Sequence, residues 1–187
     1  MSLAQQVVAL FDNADVLKVD ADNEVYDRPG IAPNIKAKSV TIVEYQKSLV
    51  EKAKTKFANR NNITVIEGDI RRLKEILAEK SFDIVFDFST LDHVPERDVP
   101  QVFDGYKYVL REKGMLVVIT WFTTNPKTEQ PEWKPTNQYF FNRKFVETEL
   151  AKAGFMIKQS EPVKNAPAKD AVYSPQDYLH TLICERV

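Results

Sequence analysis

The stretch from Ile63 to Val94 constrains the fold more than any other part of the sequence. It contains two β-branched runs, ITVIEGD and FDIVFDF, joined by RRLKEILAEK, in which Leu73, Ile76 and Leu77 recur at helical spacing. This order predicts a strand, a helix and a second strand, and such a crossover joins parallel strands of one sheet. Both strands carry an acid near their carboxyl end, which is where open α/β sheets bind ligands.

Composition and charge are those of an ordinary single domain, expected to span residues 1–187. The 26 basic and 27 acidic residues leave a net charge of −1, which gives no indication of a nucleic-acid partner. Cys184 is the only cysteine. A disulfide framework and a cysteine-rich metal site are therefore excluded, and we expect a reducing, cytoplasmic compartment. The segment from Leu3 to Phe11 is too short and too polar for a membrane span, so no membrane partner is expected.

The remaining segments predict alternating strands and helices. Strands are predicted at Val16–Val19, Ser39–Val43, Met115–Phe122, FMIKQSEPV and YLHTLICERV. Helices are predicted at Ala4–Phe11, along the face formed by Tyr45, Leu49, Ala53 and Phe57, from Val99 to a stop at Lys113-Gly114, and at Asn142–Ala153. Loops containing proline are predicted at DADNEVYDRPGIAPNIKAK, Thr123–Gln138 and Asn165–Pro175. Together with the opening unit, this alternation predicts a doubly wound, mostly parallel α/β sheet of roughly seven strands.

The order of these segments resembles the class I S-adenosylmethionine-dependent methyltransferases over most of the chain. VTIVEYQKSLVEKAK is similar to the family's second motif, EGDI to its adenine-binding segment, and FDIVFDFSTLDHVP to its fourth-strand motif. The resemblance implies a seven-stranded, Rossmann-like sheet that ends in an antiparallel hairpin, here FMIKQSEPV and YLHTLICERV. It also implies methyl transfer from S-adenosylmethionine to a small molecule or a protein side chain.

The resemblance assigns roles to individual residues. Glu44 would take the ribose hydroxyls, Asp69 would accept from the adenine amino group, and Ile70 would lie against the ring. The expected cofactor-binding residues are Asp20, Ala21, Asp22, Glu44, Tyr45, Asp69, Ile70, Asp87 and Phe88. No metal ligands are expected.

The first motif departs from the family pattern. Aligning VLKVDADNE with it places Asp20, Asp22 and Glu24 where glycines are expected. Glycine lets the backbone approach a cofactor and adopt left-handed angles, whereas aspartate adds a Cβ atom and a negative charge, although it tolerates those angles better than most residues. The charge repels the cofactor's methionine carboxylate and attracts its ammonium and sulfonium groups. A short first loop containing Pro-Gly occurs in a subset of the family, and DADNEVYDRPG resembles it.

Each candidate residue also has an ordinary structural interpretation. Glu44 and Asp69 are equally typical of acids at helix starts and turns. Asp87 follows an apolar run, where an acid is costly unless it faces a polar crevice or a partner, and this favours a role in the site. Asp92 and His93 are the candidates for a general base, and they are also typical of residues at a helix entry.

Two further alternatives concern the whole protein. The aromatic residues around the long loop form an acceptor cleft, a packed lid or a partner surface; they are Trp121, Phe122, Trp133, Tyr139, Phe140 and Phe141. The acids in the first motif also suit a catalytically silent, methyltransferase-like scaffold or partner subunit that has lost the cofactor. A dehydrogenase-type nucleotide-binding domain lacks the same glycines and a catalytic half. Homo- and hetero-oligomers are both compatible with the sequence.

Overall fold

A computed structural model describes residues 3–26, 37–124, 138–163 and 177–187. Parts of the predicted loops lie outside the described residues, namely Pro29-Gly30, Pro33, residues 125–137 with Trp133, and Asn165–Pro175. None of the helices in the described ranges has the length and apolar character needed to cross a lipid bilayer.

The described residues form one sheet of eight strands. The strands are β1 (Asp15–Val19), β2 (Ser39–Glu44), β3 (Ile63–Glu67), β4 (Phe82–Phe88), β5 (Leu110–Thr123), β6 (Phe141–Asn142), β7 (Phe155–Pro162) and β8 (Asp177–Arg186). Their order is β3-β2-β1-β4-β5-β8-β7, with the two-residue β6 beside β5. The first five strands are parallel, and β8 lies antiparallel between β5 and β7. The predicted fold is therefore confirmed, with β6 as an additional strand.

Helices cover both faces of the sheet. They are α1 (Leu3–Leu10), α2 (Asp22–Val25), α3 (Lys47–Lys56), α4 (Leu73–Ile76), α5 (Val99–Val109) and α6 (Arg143–Lys152). One apolar cluster contains side chains of α5 and α6, and a second contains side chains of α1 and α3. Apolar side chains of the central strands are divided between the two clusters, which explains why these strands are almost continuously hydrophobic.

The fifth helix ends earlier than predicted. Leu110 already pairs with Phe82 of β4, so the backbone of α5 stops at Val109 and continues as strand. Lys113, with φ of 61°, takes the left-handed position in the turn that the sequence assigned to Gly114. The prediction of a helix stop at Lys113-Gly114 is therefore wrong, because strand pairing overrides the local helical pattern.

Two other local predictions need correction. Tyr45 does not lie on the buried face of α3, because it precedes the helix and its side chain is 71% exposed. The segment after β1 begins with α2 instead of a continuous loop, since the amide of Val25 donates to the carbonyl of Ala21 at 2.9 Å and closes one helical turn. That turn places Glu24 beneath the end of β1.

Candidate functional site

Two adjoining cavities open at the carboxyl ends of β1 to β4. The inner cavity, of about 250 Å³, lies between the segment after β3 and residues 90–95. The outer cavity, of about 630 Å³, extends toward α2, the start of α3 and Gln138. Residues that line both are Asp20, Glu44, Tyr45, Thr90 and His93. The predicted position of the site at this edge of the sheet matches where these cavities lie.

Asp20 adopts the left-handed conformation, φ 71°, at the turn after β1. Its Oδ1 atom accepts from the amide of Asp22 at 3.1 Å, and its Oδ2 atom accepts from Thr90 Oγ1 at 2.7 Å. Aspartate is one of the few residues other than glycine that reach this region readily. The Asp20 side chain therefore holds the turn in the shape that a glycine would adopt and places a carboxylate at the cavity wall.

Lys18 lies directly beneath this turn with only 1% of its surface exposed. Its Nζ atom is 3.2 Å from carboxylate oxygens of both Asp20 and Glu24, and it donates to the Asp20 carbonyl at 2.9 Å. Burial opposes the charge of Lys18, but the two carboxylates outweigh it and raise the pKa of the ammonium. Burial raises the pKa of the Glu24 carboxyl, and the neighbouring Asp20 carboxylate adds to this shift although Lys18 opposes it.

Sequence reasoning missed the role of Lys18. The available indication was a lysine inside the short apolar run of β1, followed by acids two and six residues later. A buried lysine needs partners of opposite charge, and Asp20 and Glu24 are among the acids that follow it within six residues.

Glu44 ends β2 with its side chain only 4% exposed. Its Oε2 atom accepts from the amide of Ala21 at 2.8 Å, and its Oε1 atom accepts from the amide of Gln46 at 2.6 Å. Burial raises the pKa of the carboxyl although both amides oppose that shift. A carboxylate has about four lone-pair sites, so each oxygen keeps one site for a further donor.

Asp69 is occupied by Arg71. Its two carboxylate oxygens accept from the Arg71 amide, Nε and Nη2 at distances of 2.5 to 3.0 Å. Burial raises the pKa of Asp69, but the contacts with Arg71 outweigh it and bring the pKa below its usual value. The acid thus has the N-cap position foreseen as its alternative, and Ile70 is buried next to it in the inner cavity wall.

Asp87 lies outside both cavities and is fully buried. It accepts from Tyr106 Oη at 2.7 Å and from the amides of Thr90 and Leu91 at 3.0 and 3.2 Å. These bonds fix the turn that brings Thr90 to the cavity, while Phe88 lines the outer cavity directly.

Asp92 and His93 lie in the same turn, but one side chain is buried and the other is exposed. Asp92 is fully buried and accepts from Ser89 Oγ and Gln138 Nε2, each at 2.8 Å, and it lines neither cavity. His93 is exposed and lines both. Of the two candidates for a base, the structure therefore brings His93 to the cavities.

The described aromatic residues near β5 belong to the core. Trp121, Phe122, Phe140 and Phe141 are each at most 6% exposed. The Trp121 and Phe140 ring centroids are 5.8 Å apart. These four side chains pack in the hydrophobic core on the two faces of the sheet.

Asp87 makes folding stability depend on pH. Burial raises the pKa of Asp87 to about 6, although Tyr106 and two amides counteract the shift. The folded state then holds this proton where the unfolded state has lost it, so the contribution of Asp87 to stability is largest below pH ~4 and falls as pH rises through 6. Between pH 4.5 and pH 7, urea unfolding is expected to show a decline of about 2 kcal/mol relative to Asp87→Asn. Parallel pH profiles for the two proteins would contradict this assignment.

Comparison with known proteins gives one family match and many solved structures with the same fold. A family model described as a methyltransferase domain matches residues 30–114. No curated protein matches the chain at a significant level.

Solved structures with the same fold include several methyltransferases. Geranyl diphosphate C-methyltransferase from Streptomyces coelicolor, crystallised with S-adenosyl-L-homocysteine, is 11% identical with a TM-score of 0.73, covering 98% of this chain and 76% of that one. A methyltransferase from Methanosarcina mazei is 13% identical with a TM-score of 0.71, covering 100% and 98%. The cyclase SpnF is 15% identical with a TM-score of 0.74, covering 98% and 78%.

The methyltransferase-domain match and the strand order support the resemblance of this chain to the class I S-adenosylmethionine-dependent methyltransferase superfamily. The superfamily resemblance of the sequence is therefore confirmed. The family match and the fold neighbours also support S-adenosylmethionine, the cofactor expected from the sequence.

The residues present fit the adenosyl part of this cofactor. The inner cavity has apolar walls from Val43, Ile70 and Val94, and Glu44 presents one open lone pair on each oxygen, which suits a pair of ribose hydroxyls. At the methionine end the chemistry differs from a glycine turn. The amides of Ala21 and Asp22 already donate to side chains, and Asp20 offers a carboxylate that suits an ammonium group.

Proposed function

We propose that this protein is an S-adenosylmethionine-dependent methyltransferase that acts on a small molecule or an exposed protein side chain. The observation that carries the proposal is the buried Glu44 carboxylate, which faces the inner cavity at the end of β2 with one free lone pair on each oxygen. A buried acid with that orientation accepts a hydrogen bond from each hydroxyl of a diol that fills the cavity. Without a donor there, burial of the carboxylate is costly.

Different residues bind the adenosyl part and the methionine tail of the cofactor. Val43 and Ile70 contact the base, and Glu44 binds the ribose. Asp20 faces the ammonium of the methionine tail, and Asp22 lines the outer cavity beyond it. When bound, S-adenosylmethionine supplies a methyl group on a positively charged sulfur, and the carboxylates around it favour that charge.

The acceptor binds in the outer cavity. Phe88 provides an apolar surface, while Gln138 and His93 provide polar groups on the same wall. His93 takes the proton of an acceptor oxygen or nitrogen, since it is the exposed candidate base at the cavity. An acceptor that is already a good nucleophile needs positioning alone. A fold neighbour that binds geranyl diphosphate supports a small-molecule acceptor.

A second candidate function is a methyltransferase-like subunit that keeps the fold without catalysing transfer. It is favoured by the internal hydrogen bonds of the first turn, because Asp20, Ala21 and Asp22 are all engaged within the protein.

Calorimetric titration with S-adenosylhomocysteine separates these functions. Binding with a dissociation constant between micromolar and sub-millimolar is expected for the enzyme, and no heat for the silent subunit. The double variant Asp20→Gly/Asp22→Gly should bind more weakly if Asp20 contacts the ammonium. A large gain in affinity would instead indicate that the native turn blocks the tail, and would favour the second function.

A further inference from the structure

The base-binding end of the inner cavity is lined by an arginine, Arg71, to which the proposed function assigns no role. We propose that Arg71, and not Asp69, recognises the base, so that the cavity accepts a purine with a hydrogen-bond acceptor at position 6 about as well as adenine. This inference rests on the proposed function, because it names the ligand preference of the same site.

Asp69 has little capacity left for an amino group. Its Oδ1 atom accepts from the amide and Nε of Arg71, and its Oδ2 atom accepts from Nε and Nη2. Since a carboxylate offers about four lone-pair sites, these contacts use its acceptor capacity. An adenine amino group would have to displace a bidentate arginine contact, which is among the strongest side-chain hydrogen bonds.

Arg71 is held at this position from three directions. Besides the contacts with Asp69, its Nη1 atom donates to Asp98 at 3.1 Å, and its backbone carbonyl accepts from Gln101 Nε2 at 2.8 Å. Asp98 belongs to the short helix Glu96–Asp98, which follows the opposite cavity wall at Val94 and Pro95. The guanidinium therefore connects the two walls of the inner cavity and lines it.

The donors that remain on Arg71 determine which base edge fits. A guanidinium has five N–H groups, and the contacts with Asp69 and Asp98 use one each on Nε, Nη1 and Nη2. One N–H on each terminal nitrogen remains, and arginine has no acceptor to offer. A carbonyl oxygen or a ring nitrogen satisfies these donors, whereas an exocyclic amino group does not. The expected ligand class is therefore a purine nucleoside thioether or sulfonium with either a 6-oxo or a 6-amino group.

The test is a pair of titrations with S-adenosylhomocysteine and its deaminated analogue, S-inosylhomocysteine. In the native protein the two dissociation constants are expected to agree within about threefold. Arg71→Ala releases Asp69, a half-buried acid, to accept from the adenine amino group, and a site with an acceptor left unpaired discriminates against the analogue without that donor. The variant is therefore expected to prefer S-adenosylhomocysteine by about tenfold or more. Arg71→Lys keeps the charge, covers fewer acceptor sites and should give an intermediate preference.

Arg97→Ala is the matched control, since Arg97 also approaches Asp98, at 3.7 Å, but its side chain is 86% exposed and lies outside the cavity. It should leave the ratio unchanged. A native preference for adenine above about threefold, or equal ratios in the native protein and both Arg71 variants, would overturn the role of Arg71 while leaving cofactor binding intact. Failure of both ligands to bind the native protein would overturn the proposed function, and this inference with it.

Discussion

Replacement of Lys18 by methionine is expected to lower the free energy of unfolding by about 3–5 kcal/mol at pH 7. Lys18 is the ammonium between the carboxylates of Asp20 and Glu24, and both Lys18 and Glu24 are almost completely buried. Methionine fills a similar volume but leaves these acids without their cation. Equilibrium urea unfolding followed by circular dichroism measures the loss.

Two comparisons identify its cause. The exposed Lys38 pairs with Asp15 at 3.0 Å, and Lys38→Met should cost less than about 1 kcal/mol. Adding Glu24→Gln to Lys18→Met removes one uncompensated charge and should restore part of the lost stability. If Lys18→Met unfolds within about 1 kcal/mol of the native protein, the buried ion pairs do not stabilise the turn.

Glu44→Gln is expected to weaken S-adenosylhomocysteine binding on the order of 100-fold, corresponding to the loss of charge-assisted bonds to the ribose. The amide also turns a donor toward the amide of Ala21 or of Gln46, both of which now donate to the carboxylate. Calorimetric titration gives the affinity, and thermal unfolding of the free protein gives the separate effect on stability.

Glu67→Gln is the control for this change. Glu67 ends the neighbouring strand in register with Glu44, but its side chain is exposed and lines neither the inner nor the outer cavity. Its substitution should leave the affinity unchanged. Equal affinities for native protein and Glu44→Gln would show that Glu44 serves the turn alone and does not bind the ligand.

Much of the architecture was accessible from hydrophobic periodicity. The strands around Ile63–Val94 and the buried face of α5 formed as predicted, because each is long enough for its apolar pattern to be specific. The end of α5 was not accessible, since it depends on pairing of Leu110 with Phe82, 28 residues earlier. The local apolar pattern favours a helix at Leu110, but pairing with the distant Phe82 makes this segment a strand.

The position of the candidate site could be predicted from the sequence, but the hydrogen-bond partners of its residues could not. Acids after β2 and β3 pointed to the correct edge of the sheet, because the carboxyl ends of parallel strands meet there. Several partners in the site depended on contacts across the fold. Thr90 reaches Asp20 across 70 residues, and Asp98 reaches Arg71 across 27.

By itself, the sequence determined the fold class, the superfamily resemblance and the edge of the sheet that carries the cavities, because strand and helix periods are local properties of the chain. Only the tertiary structure decided which acids face the cavities and which are enclosed. Asp87 lies in β4, and Asp92 and His93 follow this strand, yet the fold buries both acids and exposes the histidine. The physical reason is that a buried carboxylate requires several donors, and donors from β5, α5 and Gln138 reach these acids only after the chain has folded.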